Sequence, residues 1–249
     1  MILPEENAGH SCFSSPARIS AFFSLVRLRS VLRAVRQEDA RVVASIETRR
    51  GRQDLVADAL VIAMPGPAVR DVVFEPALPE PQRNAITHLR SGAATRLLLQ
   101  FEKRFWRKPG RPDLFGSDQP TGAIWDGNEQ QQGPAGILSF LAGGGASREA
   151  QALVRAEGAE GIARRLAWLG RPTRVLASHT IVWEDDPWAR GGYAFFDPAF
   201  DPRWRDALAL PHGRIAFAGE HTHLRWQGYM EGAVLSGQRA AAEIVATLS

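Results

Sequence analysis

The chain has 249 residues, of which 45% are hydrophobic and 23% charged, so it can bury a large core and has the composition of a globular protein. It contains no apolar stretch near the roughly 20 residues that a membrane-spanning helix needs, and we predict no membrane insertion and no secretory signal. The net charge of +3 comes from scattered arginines, which argues against nucleic-acid binding, and the single Cys12 excludes a disulfide framework and favours a cytoplasmic setting.

Short apolar runs rich in β-branched residues predict strands in the first third of the chain. Residues 1–26 mix proline, serine and glycine without a clear period and are predicted to be an irregular lead-in. Strands are then predicted at 31–35, 42–48 and 55–63, separated by polar stretches. The last of these runs is almost continuously apolar and ends at Pro65-Gly66, which is typical of a parallel strand covered on both faces.

The middle of the chain predicts a mixture of helices and strands. A short helix should follow Pro81 and include Ile86 and Leu89, and strands are expected at 94–101, 136–142 and 174–183. Between the last two strands, Ser147 is a candidate N-cap for a helix that extends to residue 169, where Gly170 would end it.

The last region combines a short strand, a polar loop and a long helix. Residues 214–219 predict a buried strand, 220–227 a loop, and 228–248 a helix. The free N–H groups and the dipole at the start of such a helix favour an electron-rich oxygen. This arrangement is common, so by itself it indicates only a ligand with partial negative charge.

The residues of this region resemble a known flavoprotein signature. Phe-Ala-Gly-Glu-His-Thr at 217–222, Trp-Gln-Gly-Tyr-Met-Glu-Gly-Ala at 226–233 and Ser-Gly-Gln-Arg-Ala-Ala at 236–241 are similar to the C-terminal flavin-binding motif of flavin-containing amine oxidases of the monoamine oxidase type. The resemblance covers about residues 27–249. It implies an α/β fold in which a partial FAD-binding domain, Rossmann-like and of the glutathione-reductase type, is interleaved with a mixed-sheet α+β substrate domain. The FAD domain would comprise 27–85 and 187–249, and the substrate domain 86–186.

The resemblance also implies which residues bind the cofactor. Gly219 and Glu220 would contact the ribityl-pyrophosphate part of FAD, and Gly228, Tyr229 and Met230 would lie against the flavin ring, where the helix dipole stabilises the reduced cofactor. The remaining assignments to the cofactor are Val42, Thr222 and Ala233.

A second motif implies a substrate site. Trp183 and the Gly-Gly-Tyr sequence that ends at Tyr193 resemble the Trp…Gly-x-Tyr element of the same family. By resemblance, Tyr193 and Tyr229 form an aromatic sandwich in front of the flavin, with Trp183 at the substrate face, and guide a small-molecule amine to the cofactor.

Three departures from the family pattern alter these expectations. Gly192 stands where covalent-flavin members have a cysteine, so FAD should be bound non-covalently. Arg96 stands where the family often has a catalytic lysine, which places lysine-dependent reaction with oxygen in doubt. The chain has no Gly-x-Gly-x-x-Gly turn for the pyrophosphate, and Gly143-Gly144-Gly145 is predicted to be a loop.

These observations leave three functions open. The first is an FAD-dependent amine oxidoreductase whose nucleotide-binding segment comes from a second chain or a longer parent protein. The second is a non-catalytic or incomplete homologue, or a subunit that completes a partner. The third is a flavin-dependent desaturase or dehydrogenase of the same fold. His221 and His223 alternate as metal ligands do, but the flavin motif accounts for this segment and we predict no metal.

Overall fold

The computed structural model describes residues 26–249, so all but the last residue of the predicted lead-in lies outside the described part of the chain. Within it, no helix is long and apolar enough to cross a membrane. The fold is α/β, as predicted. Its strands are β1 (Val31–Gln37), β2 (Val42–Thr48), β3 (Gly51–Ala57), β4 (Leu60–Ile62), β5 (Val73–Glu75), β6 (Arg90–Ser91), β7 (Ala94–Phe101), β8 (Leu114–Phe115), β9 (Ala123–Asp126), β10 (Gly136–Gly143), β11 (Val175–Val182), β12 (Ala194–Phe195) and β13 (Ile215–Phe217). Its α-helices are α1 (Gly66–Val69), α2 (Glu80–His88), α3 (Gly145–Arg165) and α4 (Met230–Leu248).

The strand predicted at 55–63 is two strands in different sheets. β3 ends at Ala57 and pairs antiparallel with β2 in a four-stranded sheet of order β3-β2-β1-β5. After a bend at Asp58, β4 leaves that sheet and pairs in parallel with β13. The apolar run continues through the bend, so local composition does not reveal the change of partner. The prediction of parallel pairing is confirmed for β4. The prediction that both faces of the strand are covered is wrong, because Val61 is 42% exposed.

The largest sheet is antiparallel and has the order β11-β7-β10-β9-β8. The prediction of a strand at 94–101 is confirmed, and the two other strands predicted in this region end within one residue of the prediction. The short strands β8 and β9 were not predicted. Alternation along β7 turns Leu97, Leu99 and Phe101 toward one face, where they pack with residues of α3.

The helix predicted at 147–169 is broken and begins earlier. Gly144 precedes its first residue, and Gly158 has a φ of 64° that interrupts the helical backbone. α3 ends at Arg165, and a 3-10 turn at Ala167–Leu169 leads to Gly170, which ends the segment as predicted. Ser147 is not the N-cap, because it lies inside the helix and its Oγ is 2.8 Å from Oγ1 of Thr95 on β7. The predicted loop of three glycines is therefore the junction between β10 and α3.

The buried apolar residues form two main clusters. One draws on residues 35–89 and 194–217 and includes Leu89, Ile215 and Phe217. The other lies within 97–175 and includes Trp106 and Phe140. The clusters follow the chain in the order expected of two interleaved parts, while the division into an FAD domain and a substrate domain remains a prediction.

The two faces of β7 give a direct test of this arrangement. Leu99 is 0% exposed, so Leu99→Ala should lower the free energy of unfolding by about 3 kcal/mol through lost burial and the cavity left behind. Leu98→Ala, on the opposite and partly exposed face of the same strand, should cost less than half as much. Chemical denaturation monitored by circular dichroism measures both, and equal losses would contradict the assignment of the buried face.

Candidate functional site

A cavity of about 280 Å³ lies where three segments of the chain meet. One segment is 63–67, between β4 and α1, and another is 189–194, which leads into β12. The third is 219–221, shortly after β13, and Leu89, Ser91 and Trp183 complete the lining. The structure thus brings four of the predicted site residues to one cavity: Trp183, Tyr193, Gly219 and Glu220.

The loop that carries Tyr193 is fixed by backbone hydrogen bonds. Gly92 donates its N–H to the carbonyl of Tyr193 at 2.8 Å, and Gly192 donates to the carbonyl of Gly92 at 2.9 Å. The ring of Tyr193 lies over Gly92 and Gly143, where a Cβ would come within 3.0 Å of the ring or 2.9 Å of the hydroxyl oxygen. Because both positions are glycine, they leave space for the tyrosine, which is 42% exposed.

Trp183 is held in place by hydrogen bonds of its own backbone and by the side chain of the next residue, Glu184. Its N–H bonds to the carbonyl of Ala94 at 3.0 Å, and its carbonyl accepts the N–H of Gly191 at 2.9 Å. The carboxylate of Glu184 accepts the N–H of Ala94 at 2.9 Å and the hydroxyl of Ser147 at 3.4 Å. This carboxylate ties the loop to β7 and to α3, and no motif in the sequence indicated its role.

Glu220 connects the two loops that carry the tyrosines. One carboxylate oxygen accepts the N–H of Ala194 at 2.7 Å, and the other accepts the N–H of Gly228 at 2.6 Å. Ala194 directly follows Tyr193, and Gly228 directly precedes Tyr229. One side chain, which was predicted only as a contact of the cofactor, therefore links the two tyrosine loops directly.

Tyr229 and Met230 mark the exposed start of α4. Tyr229 occupies the N-cap position without a side-chain cap, and within the described chain the amides of Met230, Glu231 and Gly232 have no protein acceptor. Tyr229 is 64% exposed and Met230 87% exposed. Uncapped amides and the helix dipole create a positive potential here, which favours an electron-rich group.

The two tyrosine rings do not touch in the described structure. Tyr229 instead packs edge-on against Trp226, with ring centroids 6.0 Å apart. Both rings are partly open to solvent, with Tyr193 42% and Tyr229 64% exposed. The sandwich itself stays a prediction.

The remaining predicted residues lie outside the cavity. Val42 is 1% exposed in the first core cluster, and Thr222 uses its hydroxyl to bond the carbonyl of Gly219 at 2.8 Å. Ala233 is exposed on the first turn of α4, close to Gly228 in sequence. Arg96 lies on the five-stranded sheet, with its Nε donating to Ser139 Oγ at 3.2 Å. The roles predicted for these residues remain predictions.

Two arginines to which the sequence assigned no role hold the loop between β13 and α4. Arg205 donates to the carbonyl of His221 at 2.9 Å and to the side chain of Gln227 at 2.5 Å. Arg239 donates to the carbonyl of Phe217 and to Thr222 Oγ1, at 2.7 Å and 3.1 Å. Bonds from an arginine to distant carbonyls leave no periodic signal in a sequence, so only the structure reveals them.

His221 borders the cavity and is buried. Burial lowers the pKa of its imidazole, an effect that the nearby Glu220 carboxylate only partly opposes. His223 uses its Nδ1 to accept the backbone N–H groups of Arg225 and Trp226. In residues 26–249 no group of three or more histidine, cysteine, aspartate or glutamate side chains is arranged to hold a metal ion.

The bridge made by Glu220 predicts a local effect of its removal. In Glu220→Ala the amides of Ala194 and Gly228 lose their acceptor, so hydrogen exchange at 191–196 and 226–230 should accelerate. We expect the free energy of unfolding to fall by about 2 kcal/mol, as is typical for bonds to a charged group. Glu231→Ala, an exposed carboxylate on the first turn of α4, is the control and should leave exchange in both segments unchanged.

The lowered pKa of His221 predicts a dependence of stability on pH. Because the folded state resists protonation of this imidazole, the unfolded chain takes up its proton first as the pH falls below about 6.5. Stability should therefore decline as the pH falls from 7 toward the lowered pKa, and His221→Asn should show a shallower decline. Denaturation at a series of pH values measures both slopes, and identical slopes would contradict the prediction.

The chain is similar in sequence to known amine oxidases and to an amino acid dehydrogenase. Flavin-containing amine oxidase A of Sus scrofa is 29% identical over 202 residues, which is 76% of this chain and 37% of the relative. L-amino acid dehydrogenase of Synechocystis is 27% identical over 192 residues, covering 76% of this chain and 41% of the relative. The chain thus spans less than half the length of these relatives.

The structure is similar to that of cyclohexylamine oxidase from Brevibacterium oxydans, with a TM-score of 0.77 and 25% sequence identity. The match covers 87% of this chain and 48% of that protein. The family profile described as flavin containing amine oxidoreductase matches residues 24–245. The chain therefore belongs to the flavin-containing amine oxidoreductase family.

Proposed function

We propose that this chain forms the substrate-facing part of an FAD-dependent oxidoreductase that oxidises the C–N bond of an amine. The observation that carries the proposal is the carboxylate of Glu220, which bonds the backbone beside Tyr193 and the backbone beside Tyr229. It joins the two aromatic residues at the edge of a cavity that Trp183 also borders. An amine in front of these rings would be held by aromatic faces and apolar walls.

The start of α4 fits the flavin of FAD. The amides of Met230, Glu231 and Gly232, which have no protein acceptor within residues 26–249, supply donors for an electron-rich carbonyl of the ring. Gly228 has a φ of 77°, and a Cβ added there would meet nothing, so a flat ring can approach the backbone. Bound FAD would supply the acceptor for a hydride from the C–H bond next to the nitrogen, which would convert a neutral amine into an iminium ion, while the residues of the chain would bind and orient both molecules.

Binding of FAD should be non-covalent. Gly192 precedes Tyr193, and a Cβ at this position would lie 2.4 Å from the Cβ of Ala94. This backbone therefore leaves no room for the cysteine that covalent relatives carry there.

The relatives named above include an amine oxidase and an L-amino acid dehydrogenase, which supports a small amine as the substrate class. Tyr193 and Tyr229 supply the aromatic surface for such a molecule, and Trp183 extends it. The reacting carbon would lie between this surface and the flavin.

A second candidate is an incomplete flavin site that a second chain completes. In the described chain β4 pairs with β13 alone, and Val61 on β4 is 42% exposed. An open strand edge of this kind can accept another strand. Such a strand, with a glycine-rich turn after it, would also supply the pyrophosphate contacts that this sequence lacks.

The test is the visible spectrum of the purified chain after incubation with excess FAD and removal of free cofactor. Retained flavin bands that bleach anaerobically with an added amine are the expected result. Tyr193→Ala should keep the flavin and slow bleaching by about tenfold, because it removes one aromatic wall of the amine site. Trp188→Ala, at an exposed tryptophan that does not line the cavity, is the control and should behave as the wild type.

Two other outcomes separate the candidates. A folded but colourless chain would contradict a self-sufficient flavin site and favour completion by a second chain. Retained flavin that no amine bleaches would contradict amine oxidation while leaving flavin binding intact.

A further inference from the structure

Arg190 lies in the loop that carries Tyr193, between two residues that line the cavity. Ala189 and Gly191 border the cavity, whereas Arg190 does not. The backbone of Arg190 has a φ of 54°, in the left-handed region. Among residues 26–249, Arg29 is the only other residue apart from glycine with a positive φ. A residue with a Cβ adopts this backbone at a cost, so other contacts must hold Arg190 in it.

The guanidinium of Arg190 supplies such contacts and uses all three of its nitrogens. Nη1 donates to the carbonyl of Pro67 at 3.0 Å, and Nη2 pairs with the carboxylate of Asp71. Nε donates to the carbonyl of Pro187 at 3.0 Å, within the loop of Arg190 itself. Pro67 lies in α1 and lines the cavity. The side chain of Arg190 therefore joins two walls of the cavity from the outside.

Asp186 builds the turn that precedes Arg190. Its carboxylate accepts the N–H groups of Trp188 and Ala189, both at 2.8 Å. Its carbonyl accepts the N–H of Arg190 at 2.9 Å. This turn fixes the direction in which the arginine side chain leaves the loop. Because Tyr193 follows only three residues later, a shift of the backbone at Arg190 is passed on to the tyrosine.

Stability alone does not account for an arginine at this position. The side chains of Arg190 and Asp71 are 37% and 46% exposed, and exposed ion pairs contribute little to the free energy of unfolding. The left-handed backbone of a residue with a Cβ costs a similar or larger amount. Glycine or asparagine would adopt the same backbone more easily. What the arginine adds is a connection between two walls of the cavity.

We propose that Arg190 is a positioning residue that sets the location of Tyr193 relative to the segment 63–67, and with it the width of the amine site. Arg190 acts through the tyrosine and touches neither the amine nor the flavin. The consequence for the amine rests on the proposed function. The position of Tyr193 itself can be measured without any cofactor.

The experiment uses the fact that the chain has two tyrosines. A chain labelled with fluorotyrosine should give two fluorine resonances, which Tyr193→Phe and Tyr229→Phe assign. Arg190→Asn keeps a residue that tolerates the left-handed backbone but removes the guanidinium. We expect it to shift the Tyr193 resonance or to double its width, with the Tyr229 resonance and the urea midpoint little changed. An unchanged Tyr193 resonance in the folded variant would overturn the proposal.

The matched control is Arg203→Gln, because it removes an exposed ion pair with Asp201 that does not border the cavity. It should leave both tyrosine resonances unchanged. If Arg190→Asn fails to fold by circular dichroism, Arg190→Lys decides. Lysine keeps the charge but lacks the planar fork that reaches Pro67 and Asp71 together. The Tyr193 resonance should therefore still shift, and a wild-type resonance in the lysine variant would overturn the proposal.

Kinetics of flavin bleaching show whether Arg190 acts through Tyr193. In the chain with bound FAD, Arg190→Asn should raise the amine concentration that half-saturates anaerobic bleaching by about fivefold, with a smaller change in the rate at saturation. In a Tyr193→Ala background the same substitution should have no further effect, because the residue that it positions is gone. An equal loss in both backgrounds would overturn the proposal.

The positioning role and the proposed function can fail separately. A Tyr193 resonance that depends on Arg190, in a chain that retains no flavin, would support the positioning role and contradict a self-sufficient flavin enzyme. The opposite result is retained flavin that an amine bleaches, with the same half-saturating concentration and the same Tyr193 resonance in the wild type and in Arg190→Asn. It would support amine oxidation and overturn the positioning role.

Discussion

The arrangement of the site depends on one carboxylate that bonds two backbone amides. Glu220 accepts the N–H of Ala194 and the N–H of Gly228, each at less than 2.8 Å. Bonds to a charged acceptor are shorter and stronger than those between neutral groups. The carboxylate therefore fixes the loop after β11 relative to the start of α4, and with them Tyr193 and Tyr229.

The other hydrogen bonds that hold the segments around Glu220 also come from charged side chains and join residues far apart in the chain. Arg205 and Arg239 bond carbonyls of the segment between β13 and α4, and Glu184 bonds the amide of Ala94 at the start of β7. Each satisfies backbone groups that regular secondary structure leaves unpaired at the ends of its elements. The cavity is thus built from the ends of strands and helices that charged side chains hold together.

The sequence predicted strands and helices well where one face of the element is buried, because burial restricts the residue types on that face. The strand at 94–101 alternates buried and partly buried residues from Thr95 to its end, which is why it was predicted correctly. The run at 55–63 has no such feature at Asp58, where the chain changes sheets. Ser147 was expected to cap α3 because serine commonly does so, but its hydroxyl bonds Thr95 on a neighbouring strand, a contact between residues 52 positions apart.

The sequence by itself determined the fold class and the family, because contiguous motifs at 217–222, 226–233 and 236–241 resemble the C-terminal motif of that family and span a strand, a loop and a helix. It also showed Gly192 in place of a cysteine. Only the tertiary structure decided that Glu220 bonds both tyrosine loops, that Arg96 is directed toward Ser139 and Trp125, and that β4 pairs with β13. These features join residues far apart in the chain. Their geometry depends on strand register and on hydrogen-bond direction, which residue order does not specify.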